Sequence, residues 1–239
     1  MSQSQYKDAA AFLAANTKVR PQVGIICGSG LSMLSENISN PQVFEYSDIP
    51  GFPEVTVQGH HGQLIFGTMD GIEVVCMKGR FHFYEGHQMD TVVLPVRVMR
   101  LLGVKLLVVT NAAGGLRESL NIGDIVVIQD HFAISMVAGN NPLRGANDPL
   151  LGDRFPPVSD AYDSTLQSIV MNIAEGIGMG GIVQPDGVYC MAAGPSYESK
   201  AECRFLRGIG GDTVGMSTIP EIIAAKHCGM KVLCLSFVT

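Results

Sequence analysis

One short apolar run constrains the fold of this chain more than any other feature. Residues Ile72–Lys78 are mostly apolar and β-branched, and they stop abruptly at Gly79. A run of this length predicts a buried β-strand. The Asp70-Gly71 pair separates it from a similar run, Gln63–Met69, and predicts a tight hairpin turn between two strands.

The residues that follow this strand are charged and aromatic: Arg80, His82, Tyr84 and Glu85. In an extended segment, Arg80, His82 and Tyr84 would lie on one side. Ligands of open α/β sheets bind at the carboxyl ends of strands, and an arginine suits phosphate or carboxylate. The alternative is an edge hairpin with solvated polar residues, and the local sequence favours neither interpretation.

Similar apolar runs alternate with helical patterns along the chain, which predicts one α/β domain over residues 1–239. The predicted strands are 23–27, 63–69, 72–78, 106–109, 125–128, 188–193, 213–216 and 232–238. The predicted helices are 6–15, 31–36, 90–102, 162–176, 199–206 and 220–228.

Composition excludes several classes of protein. Net charge is −6, which argues against nucleic-acid binding, and no apolar run reaches the length of a membrane span. Charged residues make up only 16%, which predicts a buried sheet and a subunit interface. The N-terminus lacks a signal-peptide core, and the six cysteines lack zinc-ligand spacing, so we expect free thiols in the cytoplasm.

Two short motifs have alternative interpretations. Gly28-Ser29-Gly30 follows a strand and precedes a helical pattern, which favours an anion site over a simple tight turn, although Met33 breaks the dinucleotide-binding fingerprint. His60 and His61 are adjacent, but consecutive residues on a strand face opposite ways and no carboxylate lies nearby. Metal binding is therefore the less favoured interpretation.

Two further segments also leave alternatives open. Residues 110–115, Thr-Asn-Ala-Ala-Gly-Gly, predict either a close backbone approach to a ligand or a simple tight turn. Glu198 follows a predicted strand. If Ser196 or Ser199 caps the next helix, Glu198 would be an ordinary carboxylate in its first turn.

Taken together, these segments resemble the trimeric purine nucleoside phosphorylases over nearly the whole chain. The resemblance implies a central mixed β-sheet flanked by helices, of the nucleoside phosphorylase type. The matching stretches are 27–31 (CGSGL), 59–60 (GH), 79–86 (GRFHFYEG), 110–115 (TNAAGG), 141–145 (NPLRG), 154–156 (RFP), 193–198 (AGPSYE) and 214–221 (VGMSTIPE).

The resemblance also implies a role for individual residues. The implied catalytic residues are His82, Glu85 and Glu198. The implied phosphate-binding residues are Ser29, His60, Arg80, His82, Ala112 and Ser217. The implied ribose-binding residues are Tyr84, Met216 and Phe155, the last entering a neighbouring subunit's pocket, and the base-binding residues are Tyr197 and Glu198. Tyr197 stands where the family commonly has phenylalanine, which keeps the stacking face.

The implied function is phosphorolysis of 6-oxopurine (deoxy)ribonucleosides such as inosine and guanosine, in purine salvage. Inorganic phosphate is the co-substrate, no cofactor or metal is expected, and the expected assembly is a cytoplasmic homotrimer. The alternatives are a methylthioadenosine phosphorylase, which Glu198 disfavours because adenine N1 carries no proton, and a non-catalytic nucleoside- or phosphate-binding protein.

One departure from the family concerns the C-terminus. The family has an asparagine after the last strand and a histidine further on, and both positions would lie beyond Thr239. Residues 228–239 also resemble residues 102–110, where a strand ends in threonine and a ligand loop follows. We therefore expect the domain to lack its C-terminal loop and helix.

Overall fold

A mixed β-sheet lies at the centre of the computed structural model, which describes residues 3–56 and 62–239. Its strands within these residues are β1 (Val23–Cys27), β2 (Ser39–Glu45), β3 (Gln63–Met69), β4 (Ile72–Lys78), β5 (Leu106–Gly115), β6 (Ile125–Ala133), β7 (Val183–Met191), β8 (Thr213–Gly215) and β9 (Lys231–Val238).

The strand order places β5 at the junction of two parts of the sheet. The order is β2-β3-β4-β1-β5-β8-β7-β6-β9, and β5 also pairs with β9. Strands β5, β8, β7, β6 and β9 therefore close into a ring. β1 pairs in parallel with both β4 and β5, so the carboxyl ends of these three strands lie at the same edge.

Helices cover the sheet on both faces, as the resemblance implies. The α-helices of the described residues are α1 (Gln3–Asn16), α2 (Met89–Val92), α3 (Leu94–Leu101), α4 (Ile134–Val137), α5 (Ser164–Gly176), α6 (Lys200–Gly208) and α7 (Ile219–His227). The main apolar core joins α1, α3 and α7 to the sheet, and a smaller cluster lies between α5, β6 and β7. No described helix is long and apolar enough to span a lipid bilayer.

The predicted hairpin is confirmed. β3 and β4 pair antiparallel from Gln63↔Lys78 to Met69↔Ile72, and both turn residues, Asp70 and Gly71, have positive φ, as a two-residue turn of this kind requires. However, β4 lies between β3 and β1 in the interior of the sheet. The alternative of an edge hairpin is therefore wrong.

Other boundaries differ from the predictions for physical reasons. Residues 110–115 do not form a turn. They continue β5, because small residues also fit a strand buried between neighbours. Residues Ser32–Asn37 form a 3₁₀ helix rather than an α-helix, so no α-helical N-terminus follows Gly28-Ser29-Gly30.

One strand and one break within a helix were not predicted from the sequence. β2 was not predicted, because it contains Pro41 and is exposed along almost its whole length at the sheet edge. The predicted helix 90–102 is divided at Val93, which is the N-cap of α3. Pro95 lies in the first turn of α3, where a proline is tolerated.

Candidate active site

The ends of several strands meet at one cavity of about 470 Å³. This volume is within the range of small-molecule sites. Eight of the residues singled out from the sequence line it: Ser29, Arg80, His82, Ala112, Tyr197, Glu198, Met216 and Ser217. The other lining residues are Gly28, Asn111, Ala113, Gly114, Val214, Gly215 and Thr239.

Arg80 is the buried cation of this cavity, with only 1% of its surface exposed. Its Nη1 donates hydrogen bonds to Ser217 Oγ (2.8 Å) and Thr218 Oγ1 (2.9 Å), and its Nη2 donates to the Thr110 carbonyl (2.6 Å). The guanidinium is thus held in one orientation at the cavity wall, as a preorganised anion site requires.

The turn between β8 and α7 is strained where it meets Arg80. Thr218 has φ +80°, which is unfavourable for a β-branched residue, and it is buried. Its Oγ1 accepts hydrogen bonds from Arg80 and from Asn111 Nδ2 (3.1 Å). These contacts hold the strained backbone, and strain of this kind is concentrated at functional sites.

The opposite wall is built by the close approach of β1 and β5. The Gly28 N–H donates to Thr110 Oγ1 at 3.0 Å, and a Cβ at Gly28 would lie 2.6 Å from Asn111 Cα, so only glycine fits. The Thr110 carbonyl faces Arg80. Because alternate main-chain groups of a strand point to the same edge, the Ala112 N–H faces the same side, past the end of β1.

His82 is oriented by Glu85 and Thr56. Glu85 Oε1 accepts from the His82 N–H (2.7 Å) and lies 3.2 Å from its Nδ1, while Glu85 Oε2 accepts from Thr56 N and Oγ1 (3.0 and 2.6 Å). Burial raises the pKa of Glu85, but the hydrogen bonds from Thr56 and His82 outweigh it, and the net pKa shift is downward.

Tyr84 and Met216 lie close together beside the cavity. The Tyr84 ring stacks on His82 at 4.6 Å, with 21° between the planes. A Cβ at Gly194 would meet both Met216 Sδ (2.6 Å) and Tyr84 Cδ1 (3.0 Å), so glycine allows the two side chains to converge there. Burial raises the pKa of Tyr84, and the nearby Glu85 raises it further.

Glu198 lies outside the following helix, so its interpretation as a first-turn carboxylate is wrong. Ser199 is the N-cap of α6 and forms a capping box with Glu202, which places Glu198 one residue before the cap. Glu198 Oε1 is buried and has no hydrogen-bond partner within the described residues. Beside it, Tyr197 is 87% exposed at the cavity rim.

Of the predicted site residues within the described part of the chain, Tyr84, Glu85 and Phe155 do not line this cavity. Tyr84 and Glu85 both contact His82, which does line it. Phe155 is 86% exposed and lies beside a second cavity of about 380 Å³, with the Arg154 guanidinium 5.2 Å from its ring centroid. His60 lies outside the described residues. Within residues 3–56 and 62–239, no group of three or more His, Cys, Asp or Glu side chains is placed to hold a metal ion.

Comparison with known proteins identifies the family. The model of the Phosphorylase superfamily matches residues 22–239. Purine nucleoside phosphorylase of Bos taurus is 50% identical over 234 residues, which cover 98% of this chain and 81% of that protein. Purine nucleoside phosphorylase 1 of Bacillus subtilis is 50% identical over 231 residues, which cover 97% of this chain and 83% of that protein. The chain belongs to the purine nucleoside phosphorylases.

A solved structure confirms the nucleoside phosphorylase fold. Schistosoma mansoni purine nucleoside phosphorylase in complex with inosine superposes with a TM-score of 0.94 and 48% sequence identity, covering 99% of this chain and 83% of that chain. The resemblance stated from short motifs therefore extends over the described backbone, including the ring of strands around β5.

Three residues of this purine nucleoside phosphorylase site were missed by sequence reasoning: Asn111, Thr218 and Glu221. Glu221 is 1% exposed and its Oε2 lies 3.3 Å from Arg80 Nη1. Burial raises the pKa of Glu221, and the Arg80 guanidinium opposes that shift. A signal was present: six of the nine residues of α7 are apolar, which favours a buried helix in which a glutamate needs a partner.

Proposed function

We propose that this purine nucleoside phosphorylase acts on 6-oxopurine nucleosides such as inosine and guanosine and their deoxy forms. The products are the free base and α-(deoxy)ribose 1-phosphate. One observation supports this most: a single cavity combines the buried, hydrogen-bonded Arg80 with the unpartnered carboxylate oxygen of Glu198. Related enzymes have been solved with inosine and with ribose 1-phosphate.

The phosphate co-substrate occupies the Arg80 side of the cavity in this proposal. Ser29, Ser217 and the Ala112 N–H supply donors around the guanidinium, and His60 completes the set from outside the described residues. His82 donates to the phosphate from its second ring nitrogen, because Glu85 holds the first. Such neutral and cationic donors bind phosphate without competing as nucleophiles.

Phosphorolysis then exchanges one bond for another. The C1′–N9 bond breaks and its electron pair moves to the purine, while an oxygen of hydrogen phosphate forms a new bond to C1′. The proton that the phosphate loses on becoming a monoester ends on the purine. The transition state carries positive charge on the ribose and negative charge on the base. Preorganised groups that stabilise these charges lower the barrier. Tyr84 and Met216 would position the ribose between the phosphate and the base.

Glu198 selects the base. An ionised carboxylate only accepts hydrogen bonds, so it pairs with the N1–H of hypoxanthine or guanine and faces the bare N1 lone pair of adenine. Tyr197 supplies an exposed aromatic face beside it. The same argument disfavours a methylthioadenosine phosphorylase, whose base is also an adenine.

The proposed assembly is a homotrimer in the cytoplasm. Phe155 is exposed beside Arg154 and is not among the residues that line its own subunit's cavity, which suits a side chain that enters a neighbouring ribose pocket. All six cysteines are free thiols, and five are buried, which suits a reducing compartment.

The test is a product assay with the full chain after dialysis against a chelator. Inosine plus phosphate should give hypoxanthine and ribose 1-phosphate, with no conversion when phosphate is omitted. Adenosine and methylthioadenosine are the comparison substrates. A related schistosome enzyme has been solved with adenosine, so turnover rather than binding must be compared. Binding of inosine without phosphate-dependent cleavage would instead support a non-catalytic nucleoside-binding protein.

A further inference from the structure

Arg80 and Glu221 form a buried ion pair behind the cavity wall. Arg80 and Glu221 are each 1% exposed, and Nη1 lies 3.3 Å from Oε2. Beyond this ion pair, the one other polar partner of the Glu221 carboxylate within residues 3–56 and 62–239 is the Thr218 backbone N–H. Replacing both members of such a buried pair by apolar side chains is often neutral for stability, so stability alone does not account for the pair.

Orientation of the guanidinium does not depend on Glu221. Nη1 carries two hydrogens, and these are directed at Ser217 Oγ (2.8 Å) and Thr218 Oγ1 (2.9 Å). Nη2 donates to the Thr110 carbonyl at 2.6 Å. Three hydrogen bonds therefore already hold the plane of the guanidinium. What Glu221 adds is negative charge at short range from a buried position.

Charge matters here because Arg80 is the single lysine or arginine among the described residues that line the cavity. Arginine keeps its charge in proteins. Without a nearby carboxylate, its full charge would act on any phosphate group in the cavity at low effective dielectric. A phosphorylase must bind phosphate and also release a sugar phosphate, and excessive affinity slows product release.

We propose that Glu221 is a charge-setting residue of the anion site. It offsets the Arg80 charge so that phosphate and ribose 1-phosphate bind loosely enough to exchange. This inference rests on the phosphorolysis proposed above. It differs from a positioning role, since loss of a positioning residue would weaken phosphate binding, whereas loss of a counter-charge strengthens it.

The experiment compares Glu221→Gln with a matched control, Glu118→Gln. Glu118 also pairs with an arginine, Arg207, at 2.7 Å, but its side chain is 81% exposed and does not line the cavity. For Glu221→Gln we expect the phosphate KM to fall at least threefold, kcat to fall, and the inosine KM to stay within twofold. Phosphate should also raise its Tm more than that of the unmutated protein. Glu118→Gln should change none of these values.

A second variant, which keeps the negative charge, separates the effect on phosphate binding from an effect on folding. Glu221→Asp keeps the charge but withdraws it by one methylene, so the phosphate KM should fall in the same direction by a smaller factor. An unchanged phosphate KM in folded Glu221→Gln would overturn the inference, and a raised one would assign Glu221 to orientation instead. Failure of both variants to fold would also overturn it, because that result would assign Glu221 to the stability of the fold instead of to the anion site. Absence of phosphorolysis in the unmutated protein and Glu118→Gln would instead refute the proposed function.

Discussion

Glu198→Gln gives the sharpest test of base selection. The buried Oε1 of Glu198 has no partner in the described protein, so the purine is its expected partner. The amide still accepts from N1–H of hypoxanthine, but as a neutral group it loses about 1–2 kcal/mol of a charge-assisted bond. With adenosine, the amide N–H pairs with N1 and removes an unpaired buried acceptor, a gain of about 1–3 kcal/mol.

These two changes act in opposite directions, so their ratio is the quantity to measure. Together they amount to about 2–5 kcal/mol, which lowers the inosine-to-adenosine ratio of kcat/KM by roughly 30- to 4,000-fold. The assay is kcat/KM for both nucleosides at saturating phosphate. Glu202→Gln is the control, because Glu202 lies four residues along in the exposed capping box of α6 and does not line the cavity. An unchanged ratio in Glu198→Gln would refute contact with the base.

Three further variants probe other parts of the site. Arg80→Met should raise the phosphate KM at least tenfold, which steady-state kinetics measures. It should also lower the free energy of unfolding by about 3–5 kcal/mol, measured by urea denaturation, because Glu221 is left buried without its partner. Thr56→Val removes a hydroxyl donor that holds the pKa of Glu85 down, so the acid limb of the pH–rate profile should move to higher pH. No movement of that limb would exclude Glu85 as the group that titrates there. Phe155→Ala should raise the inosine KM while light scattering still shows a trimer; an unchanged KM would remove Phe155 from the ribose site.

Strands and turns with strong local signals were predictable from the sequence. The hairpin of β3 and β4 has the predicted bounds, since Asp70-Gly71 can adopt positive φ at both positions and the flanking runs are apolar. β1 was also placed correctly, as a short buried run. Such elements depend on neighbouring residues alone, so their sequence carries enough information.

The contacts that build the site depend on residues far apart in the chain, and local patterns do not encode them. Arg80 meets Ser217 and Thr218 across 137 and 138 residues. The identity of Glu221 as a buried ion-pair partner required the packing of α7 against the sheet. Strand β5 was predicted too short, because the pairing that extends it to Gly115 comes from β8 and β9.

The three-way pairing of β5 has a consequence for the order in which the molecule opens. Its amide groups bond to β1, β8 and β9, so none of these hydrogen bonds breaks through fraying of a sheet edge. Exchange of the strand-paired amides of 107–113 should therefore proceed only through global unfolding, with the exception of Ala112, whose N–H faces the cavity; the exposed β2 should exchange through local opening. Because Asn111 belongs to this slowly exchanging strand, the floor of the cavity should persist until the whole domain unfolds.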